Sequence, residues 1–568
     1  MHVKKTVRRR GEKEYTYLSL VESVRVNGKK THQTLLRLGE IGELERSGQL
    51  DRIVAALSGY TTQHFVAAEG LEGEGAPSFG ATAAISAYFD RLGLREHFRA
   101  IGDRRRSKNL ADTVLVMLAN RLLAPSSKRR AILEWLDDVV LPDGVTPPSL
   151  DQCYRALDVL FEEKVRIETH IYARVTDLLN LDLRLCCYDL TSTFFEGEVV
   201  PSPRFPSRAF GYSRDHRGDR PQVMIGLLVT SDGIPIAHYV FDGNTKDSTT
   251  LPEVMTDLQA RFGVGRIALI ADRGLIAEQN VLAVADAGFD HVLATRLHRD
   301  ADAEAVLVAA KDPAATWVQI EEARSSACEV VHGGRRYVIV DSPARHRRDD
   351  HRREELLGRT ESKLIALEAR VREGHLVDPA KIGAATDRIL RDSGVARCFS
   401  TTIRQGSFTW SFDAEALSFE EDTLAGRYVI TTSLTPAEAS TAQVVRYYRS
   451  LLNVERRFKV MKDFLVLRPV HHFTEERVRG HIALCVIAAV IEALISGDLE
   501  REGVEDPVVA GQTMTPRRAL AELGRIRLQR VEAAGREIKL VTRRNALQAK
   551  LCAALSIDTS RWDRANIT

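Results

Sequence analysis

The chain has 568 residues, long enough for several domains with cores of their own. An apolar content of 44% and a charged content of 28% are those of an ordinary soluble protein. The formal charge of +2 is near neutral, yet basic clusters recur at Lys4-Lys5, Arg8 to Arg10, Arg104 to Arg106, Lys128 to Arg130, Arg345 to Arg348, Arg456-Arg457 and Arg543-Arg544, a distribution that fits nucleic-acid contact. The seven cysteines are scattered and form no CxxC pair, which argues against a disulfide framework and a zinc site and for a reducing cytosol. The basic N-terminus has no apolar segment behind it, so it does not read as a secretory signal.

In chain order, residues 14–38 alternate as strands around the turn dipeptide Asn27-Gly28 and predict a hairpin. Gly70 to Gly80 reads as a linker. Helical periodicity follows over 81–92, 110–123, 128–136 and 154–179. Strands are predicted at 184–195, 222–230 and 234–241, the last two joined at the tight turn Ser231-Asp232-Gly233. A helix over 248–262, a buried strand over 266–271, a helix over 277–287 and a strand over 291–296 complete the order β-β-β-α-β-α-β. This is the element order of the ribonuclease H-like α/β fold, which closes with a helix packed on the sheet.

The candidate closing helix, Thr441–Phe464, comes after roughly 140 further residues, too many for a structureless loop. Strand-like segments at 317–321, 337–341, 408–412 and 427–432 surround a charged helical stretch, 352–373, and predict an inserted, largely β subdomain. Within it, Arg345 to Arg353 is either a DNA-facing loop or a solvated surface. The longest apolar run, Ile482 to Ile495, is short for a membrane span and contains Glu492, so a buried core helix is expected. A helix over 516–528, a strand over 537–541 and a final helix end the chain, with many arginines in this tail.

Asp189 lies mid-strand among apolar residues, a costly place for a charge unless it is paired or binds a metal. Asp272 stands at the carboxyl end of the fourth strand, where open α/β sheets carry their sites. The fold sets the first and fourth strands side by side, and adjacent carboxylates need a cation to stay ionised together. Oxygen ligands suit Mg²⁺ or Mn²⁺. On the closing helix Tyr448, Glu455 and Lys462 are spaced at heptads, which lines them on one face with a small drift. Glu455 is the candidate third carboxylate, and the three together suit phosphoryl transfer supported by two metal ions. Singly, each has a plainer reading: a turn residue for either aspartate, a salt-bridged surface residue for Glu455. Arg214, His216, Arg217 and Arg220 form a basic loop near this site, either a DNA contact or a solvated loop. His471, His472 and His481 lie beyond the carboxylate helix and suit structural or phosphate-neighbouring roles better than metal binding.

Five ordered segments carry a resemblance: Tyr188-Asp-Leu-Thr-Ser, Phe241-Asp-Gly-Asn-Thr-Lys-Asp247, Ala271-Asp-Arg-Gly-Leu, Gly426-Arg-Tyr-Val-Ile-Thr-Thr-Ser433 and Tyr448…Glu455…Lys462. Leu110–Trp135 adds a sixth, helical one. From about residue 80 to 500 the chain resembles bacterial insertion-sequence transposases of the DDE type, in the cut-and-paste group with a β-rich insertion and a Tyr-Arg-Glu-Lys motif. The resemblance implies that Asp189, Asp272 and Glu455 are catalytic metal ligands for two Mg²⁺ or Mn²⁺ ions. It also implies that Tyr448 and Lys462 hold DNA phosphates. The family motif has Arg four residues before the Glu, where this sequence has Leu451. The implied partner is double-stranded DNA, at element ends and target, bound by a homodimer in the cytoplasm at the nucleoid, with no membrane. A non-catalytic DNA-binding derivative and a metal-dependent nuclease of the same fold are the alternatives. The expected division is a β-hairpin region and linker (1–75), a helical DNA-binding domain (76–180), a split catalytic core (181–298 and 436–500), the β-rich insertion (299–435), and a helical, basic C-terminal region (501–568).

Overall fold

The computed structural model describes residues 1–26, 29–58, 60, 72–179, 185–196, 207–262, 268–271, 284, 288–295, 301–320, 324–391, 393–404, 407–533, 536–560, 562 and 566–567. The chain divides into two compact units, one of 1–76, 527–542 and 559–568, the other of 77–526 and 543–558.

The first unit opens with three antiparallel strands in sequential order, β1 (His2–Arg10), β2 (Lys13–Val26) and β3 (Lys29–Glu40). The β1–β2 turn uses Gly11 at φ +67°, the left-handed geometry that suits a two-residue hairpin. β2 and β3 pair inward to Val26 and Lys29, the neighbours of the expected Asn27-Gly28 turn, which itself lies outside the described residues. Helices α1 (Ile41–Arg46) and α2 (Gln49–Ser58) follow, with α1 against β2 and β3 and Leu44 buried.

The stretch 70–80 departs from the expected linker: it holds the short strand β4 (Glu72–Glu74), and Gly80 is the first residue of a packed helix. A Cβ on Gly80 would lie 2.6 Å from the Leu523 carbonyl oxygen, so a glycine is needed for this approach.

The second unit begins with helices α3 (Gly80–Arg91), α4 (Leu94–Arg105), α5 (Leu110–Leu123), α6 (Lys128–Leu133), α7 (Leu150–Glu162) and α8 (Lys164–Leu179). α5 is buried on nearly every face, and Ser149 and Gln152 close a reciprocal capping box at the start of α7. Then come β5 (Leu185–Phe194), β6 (Gln222–Thr230), β7 (Pro235–Asp242), α9 (Leu251–Phe262), β8 (Ala268–Ala271) and β9 (Asp290–Ala294). The expected helix at 277–287 lies outside the described residues, apart from Val284. β6 is buried throughout, as befits a strand covered on both faces. One face of β5, with Cys186, Tyr188 and Leu190, packs into a core with Leu251, Val254, Met255 and Leu258 of α9.

The region 299–435 is part strand and part helix. After α10 (Ala301–Ala309), β10 (Trp317–Ile320), β11 (Ser325–His332) and β12 (Arg335–Asp341) join β15 (Arg427–Thr432) on the main sheet. Its nine strands run β10-β11-β12-β15-β9-β8-β5-β6-β7, parallel only where β5 meets β8 and β8 meets β9. Between β12 and β15, helices α11 (Pro343–Arg372) and α12 (Pro379–Arg391), the hairpin β13 (Phe399–Arg404) and β14 (Ser407–Phe412), and α13 (Ala414–Phe419) share a separate small core around Leu364, Leu367, Ile382 and Phe408. Arg345 to Arg353 is therefore not a loop: it forms the first turns of α11, where Arg353 pairs with Asp350 and Glu421.

Three helical segments close the sheet, α14 (Thr441–Arg449), α15 (Leu451–Lys459) and a π-turn at Val460–Phe464. α16 (Glu475–Arg501) is long and apolar enough to cross a membrane, but it is mostly buried and packs against α5 and α7. α17 (Pro516–Leu523) and α18 (Ala546–Ala554) complete this unit. In the first unit, β16 (Leu528–Ala533) pairs with β4 and with β17 (Arg536–Val541), which also pairs with β18 (Asn566–Ile567).

Candidate active site

Alternation along β5 turns Cys187, Asp189, Thr191 and Thr193 to the face opposite the α9 core. Cys187 Sγ lies 3.1 Å from Ser450 Oγ, so this face meets the closing helical segments. Asp189 is half-buried and sits opposite Leu227 of β6. On its other side β5 runs parallel to β8 with Tyr188 opposite Ala271. The residues that follow this pair in sequence are Asp189 and Asp272; Asp272 itself lies outside the described residues.

The segment expected as one helix breaks at Ser450, whose Oγ donates to the Tyr447 carbonyl at 2.6 Å. α14 begins with a capping box from Ser440 and Gln443. α15 is fixed to the sheet and to α16 by two side chains. Asn453 Nδ2 donates to the Ser231 carbonyl at 2.6 Å, in the turn between β6 and β7. Arg457, buried, pairs with buried Glu492 of α16, whose carboxyl is pushed up by burial against the pull of that arginine.

Leu451, Val454, Phe458 and Met461 form the buried stripe. Glu455 stands roughly 40° around the axis from Leu451, at the stripe's edge. It is exposed and has no ion-pair partner among the described residues. Helix and strand advance in the same sense, from the Cys187–Ser450 contact to the parallel bridge between Phe195 and Val470. From that contact Asp189 is roughly 6.6 Å along the strand and Glu455 roughly 7.5 Å along the helix.

The basic residues are less free than the sequence suggests. Lys462 lies in the π-turn with its side chain 10% exposed, and its Nζ donates to Asp215 Oδ1 at 2.8 Å. Arg468 pairs with the same carboxylate. Burial pushes the Lys462 ammonium below its ordinary value, and Asp215 opposes that shift. Asp215 was missed by sequence reasoning. Arg214 pairs with Asp247 at 2.6 Å. Arg217 pairs with Asp219 at 2.8 Å and Glu196 at 3.4 Å, and Arg220 lies 3.4 Å from each of these acids. Tyr448 is half-buried with its ring 5.6 Å from that of Tyr428. Of the three histidines, His481 is buried with Nδ1 3.2 Å from Lys128 Nζ, and its ring lies 5.3 Å from that of His472. No group of three or more His, Cys, Asp or Glu is gathered for a metal ion among the described residues.

Residues 3–69 match the N-terminal domain of IS1634 family transposases, and residues 192–491 match the transposase DDE domain. The second match covers more than half of the chain. The chain belongs to the DDE transposases. It is an insertion-sequence transposase, an enzyme that cuts and transfers DNA. No curated protein matches it. The DDE domain implies a ribonuclease H-like fold, in keeping with the transposase's mixed α/β architecture. The match begins three residues after Asp189 and includes Asp272 and Glu455. DDE domains use divalent metal ions, and the oxygen donors offered by Asp189 and Glu455 suit such ions in chemistry.

Proposed function

We propose that the transposase cuts DNA at the ends of its element and joins those ends to a target duplex, with Asp189, Asp272 and Glu455 as its metal-binding carboxylates. In this reading β5–β9 and the closing helical segments are a ribonuclease H-like core, and 299–435 is the insertion that widens the gap before the last carboxylate. The observation that carries it is the register of β5 and β8. Two parallel strands match Tyr188 with Ala271, and an aspartate follows each in sequence. The helix bearing Glu455 packs on β5.

Two Mg²⁺ or Mn²⁺ ions, when bound, supply charge stabilisation at the scissile phosphate and activation of water or a 3′-hydroxyl. The chain's own residues orient the DNA. Tyr448 donates its hydroxyl to a phosphate oxygen. Lys462 meets the DNA from its seat on Asp215, and Arg214, Arg217 and Arg220 face the backbone with their acids as neighbours. A homodimer at the nucleoid, bridging two element ends in the cytoplasm, accounts for paired cutting.

The test is incubation of the purified protein with labelled element-end DNA, target plasmid and Mg²⁺. Joined products are expected. Cleavage without joining would reduce the protein to a nuclease, and binding alone to a non-catalytic derivative. Glu455→Gln is expected to abolish joining, by more than the roughly 10–100-fold typical of losing an outer-shell metal partner, while DNA affinity stays unchanged. Full activity in that variant would sink the carboxylate assignment.

A further inference from the structure

The first forty residues hold ten Lys and Arg against four Asp and Glu, although the whole chain is only +2. The excess is concentrated on three strands. Every residue of β1 is exposed, and β1 is the edge of its sheet. Alternation puts Lys4, Thr6, Arg8 and Arg10 on one face. Directly opposed residues share a face, so Tyr17, opposite Thr6, and Tyr15, opposite Arg8, lie among these cations. Both tyrosines are more than a third exposed. The Arg8 guanidinium lies 5.9 Å from the centre of the Tyr17 ring.

His32 of β3 lies beside this face, its ring 5.1 Å from that of His2. Its proton is disfavoured by desolvation and then by Lys4, His2 and Lys30. The one acid opposite Tyr17 by register, Glu40, is turned to the start of α1, where its carboxylate accepts from the Glu43 amide at 2.9 Å. On the opposite face Arg9 is paired with Glu14.

We propose that the face of β1–β2 bearing Lys4, Arg8, Arg10, Tyr15 and Tyr17 is a docking surface for the phosphate backbone of duplex DNA. The inference rests on the chain's action on DNA, but it assigns to this sheet a contact expected from the helices at 76–180. The nine residues of β1 span roughly 30 Å, with Lys4, Arg8 and Arg10 roughly 13 Å and 7 Å apart along one line. Duplex DNA offers a charge about every 1.7 Å of its axis, so such a row meets several phosphates at once. The tyrosine hydroxyls add neutral donors to phosphate oxygens. Cations alone serve to protect an edge strand from pairing with another chain. That role does not call for two exposed tyrosines among them.

The test measures binding of the full-length protein to a labelled 30-base-pair mixed-sequence duplex in EDTA over a range of salt. Lys4→Ala/Arg8→Ala is compared with Lys5→Ala/Arg9→Ala, which removes the same formal charge from the opposite face. The first pair is expected to weaken binding at least fivefold at 0.1 M salt and to flatten the slope of log K against log salt by up to about 1.8. The second pair is expected to change both far less, and circular dichroism checks that all variants fold. Equal losses from the two faces, or none from Lys4→Ala/Arg8→Ala, overturn the proposal. So does a larger loss toward a single-stranded 30-mer or toward anionic phospholipid vesicles than toward the duplex. If the parent protein binds no duplex, the action on DNA fails with it. If Glu455→Gln stops joining while Lys4→Ala/Arg8→Ala leaves binding intact, only the docking surface falls.

Discussion

Leu451 stands four residues before Glu455, where the resemblance to the Tyr-Arg-Glu-Lys group implies an arginine, and its burial suits the leucine. It is 7% exposed and lies in the stripe that seats α15 on the sheet. Leu451→Arg would drive a guanidinium into that stripe, with the exposed Glu455 one turn on as its nearest acid on the helix. The expected result is a loss of about 3 kcal/mol in stability, read by urea unfolding, with no gain in DNA affinity. A stable variant with tighter DNA binding would show instead that the position opens toward phosphate. The neighbouring residues mark the limit of sequence reading at this scale. The heptad spacing lines Tyr448, Glu455 and Lys462 on one face of an unbroken helix, whereas the segment is divided at Ser450 and again at Val460. The break at Ser450 and the π-turn at Lys462 depend on contacts with Cys187 and Asp215, both more than 240 residues away, which local periodicity does not encode.

At the scale of elements, the position of Glu455 is set by how α15 docks on the sheet. The turn Ser231-Asp232-Gly233 was legible as a tight hairpin; its second role as a seat for a helix was not. Gly233 has φ +78°, and a Cβ there would lie 2.9 Å from the Asn453 Cβ. Gly233→Ala therefore meets both a left-handed backbone and the helix that carries Glu455. It is expected to cost about 1–3 kcal/mol and to slow DNA joining more than DNA binding, measured by thermal melting and by the joining assay. Unchanged melting and joining would mean that this contact does not set the helix. The same distinction holds for the sheet. The alternating patterns at 317–341 and 427–432 announce strands, but not that they extend the main sheet, since pairing partners are chosen by burial on both faces. β12 is buried from Arg336 to Val340 and β15 from Val429 to Thr432, the signature of interior strands.

At the scale of the whole molecule, the near-zero net charge conceals a second asymmetry: several bases are buried in neutral form. Burial is the leading cause in each. His291 is brought from 6.5 to about 4, with Asp290 opposing and Arg335 assisting the shift. His472 is brought to about 3, with Lys128, Arg121, Arg477 and His471 adding to it. His97 is brought to about 4, assisted by His170, Arg104 and Arg166 and opposed by Glu163. Each folded value lies below the unfolded one, so between pH 6.5 and 4 the unfolded chain holds more protons than the native chain. Stability therefore rises with pH across that window and is lost as pH falls through it. Lys128 acts with the same sign at higher pH, its ammonium brought from 10.5 to about 7 by burial and by Arg121. Glu168, held low by Lys164, His238 and Arg261 against its burial, adds a further loss only below about 4.5. The melting temperature is thus expected to fall from pH 6.5 to 4.5, above the range of Glu168, with, among the described residues, only the raised carboxyl of Glu492 acting in the opposite sense. His291→Gln removes one titrating site from a buried position and should flatten that slope, by up to about 1.4 kcal/mol per pH unit. A profile for His291→Gln that parallels the parent's across this window would mean that the buried imidazole is already protonated in the native protein, paired with Asp290.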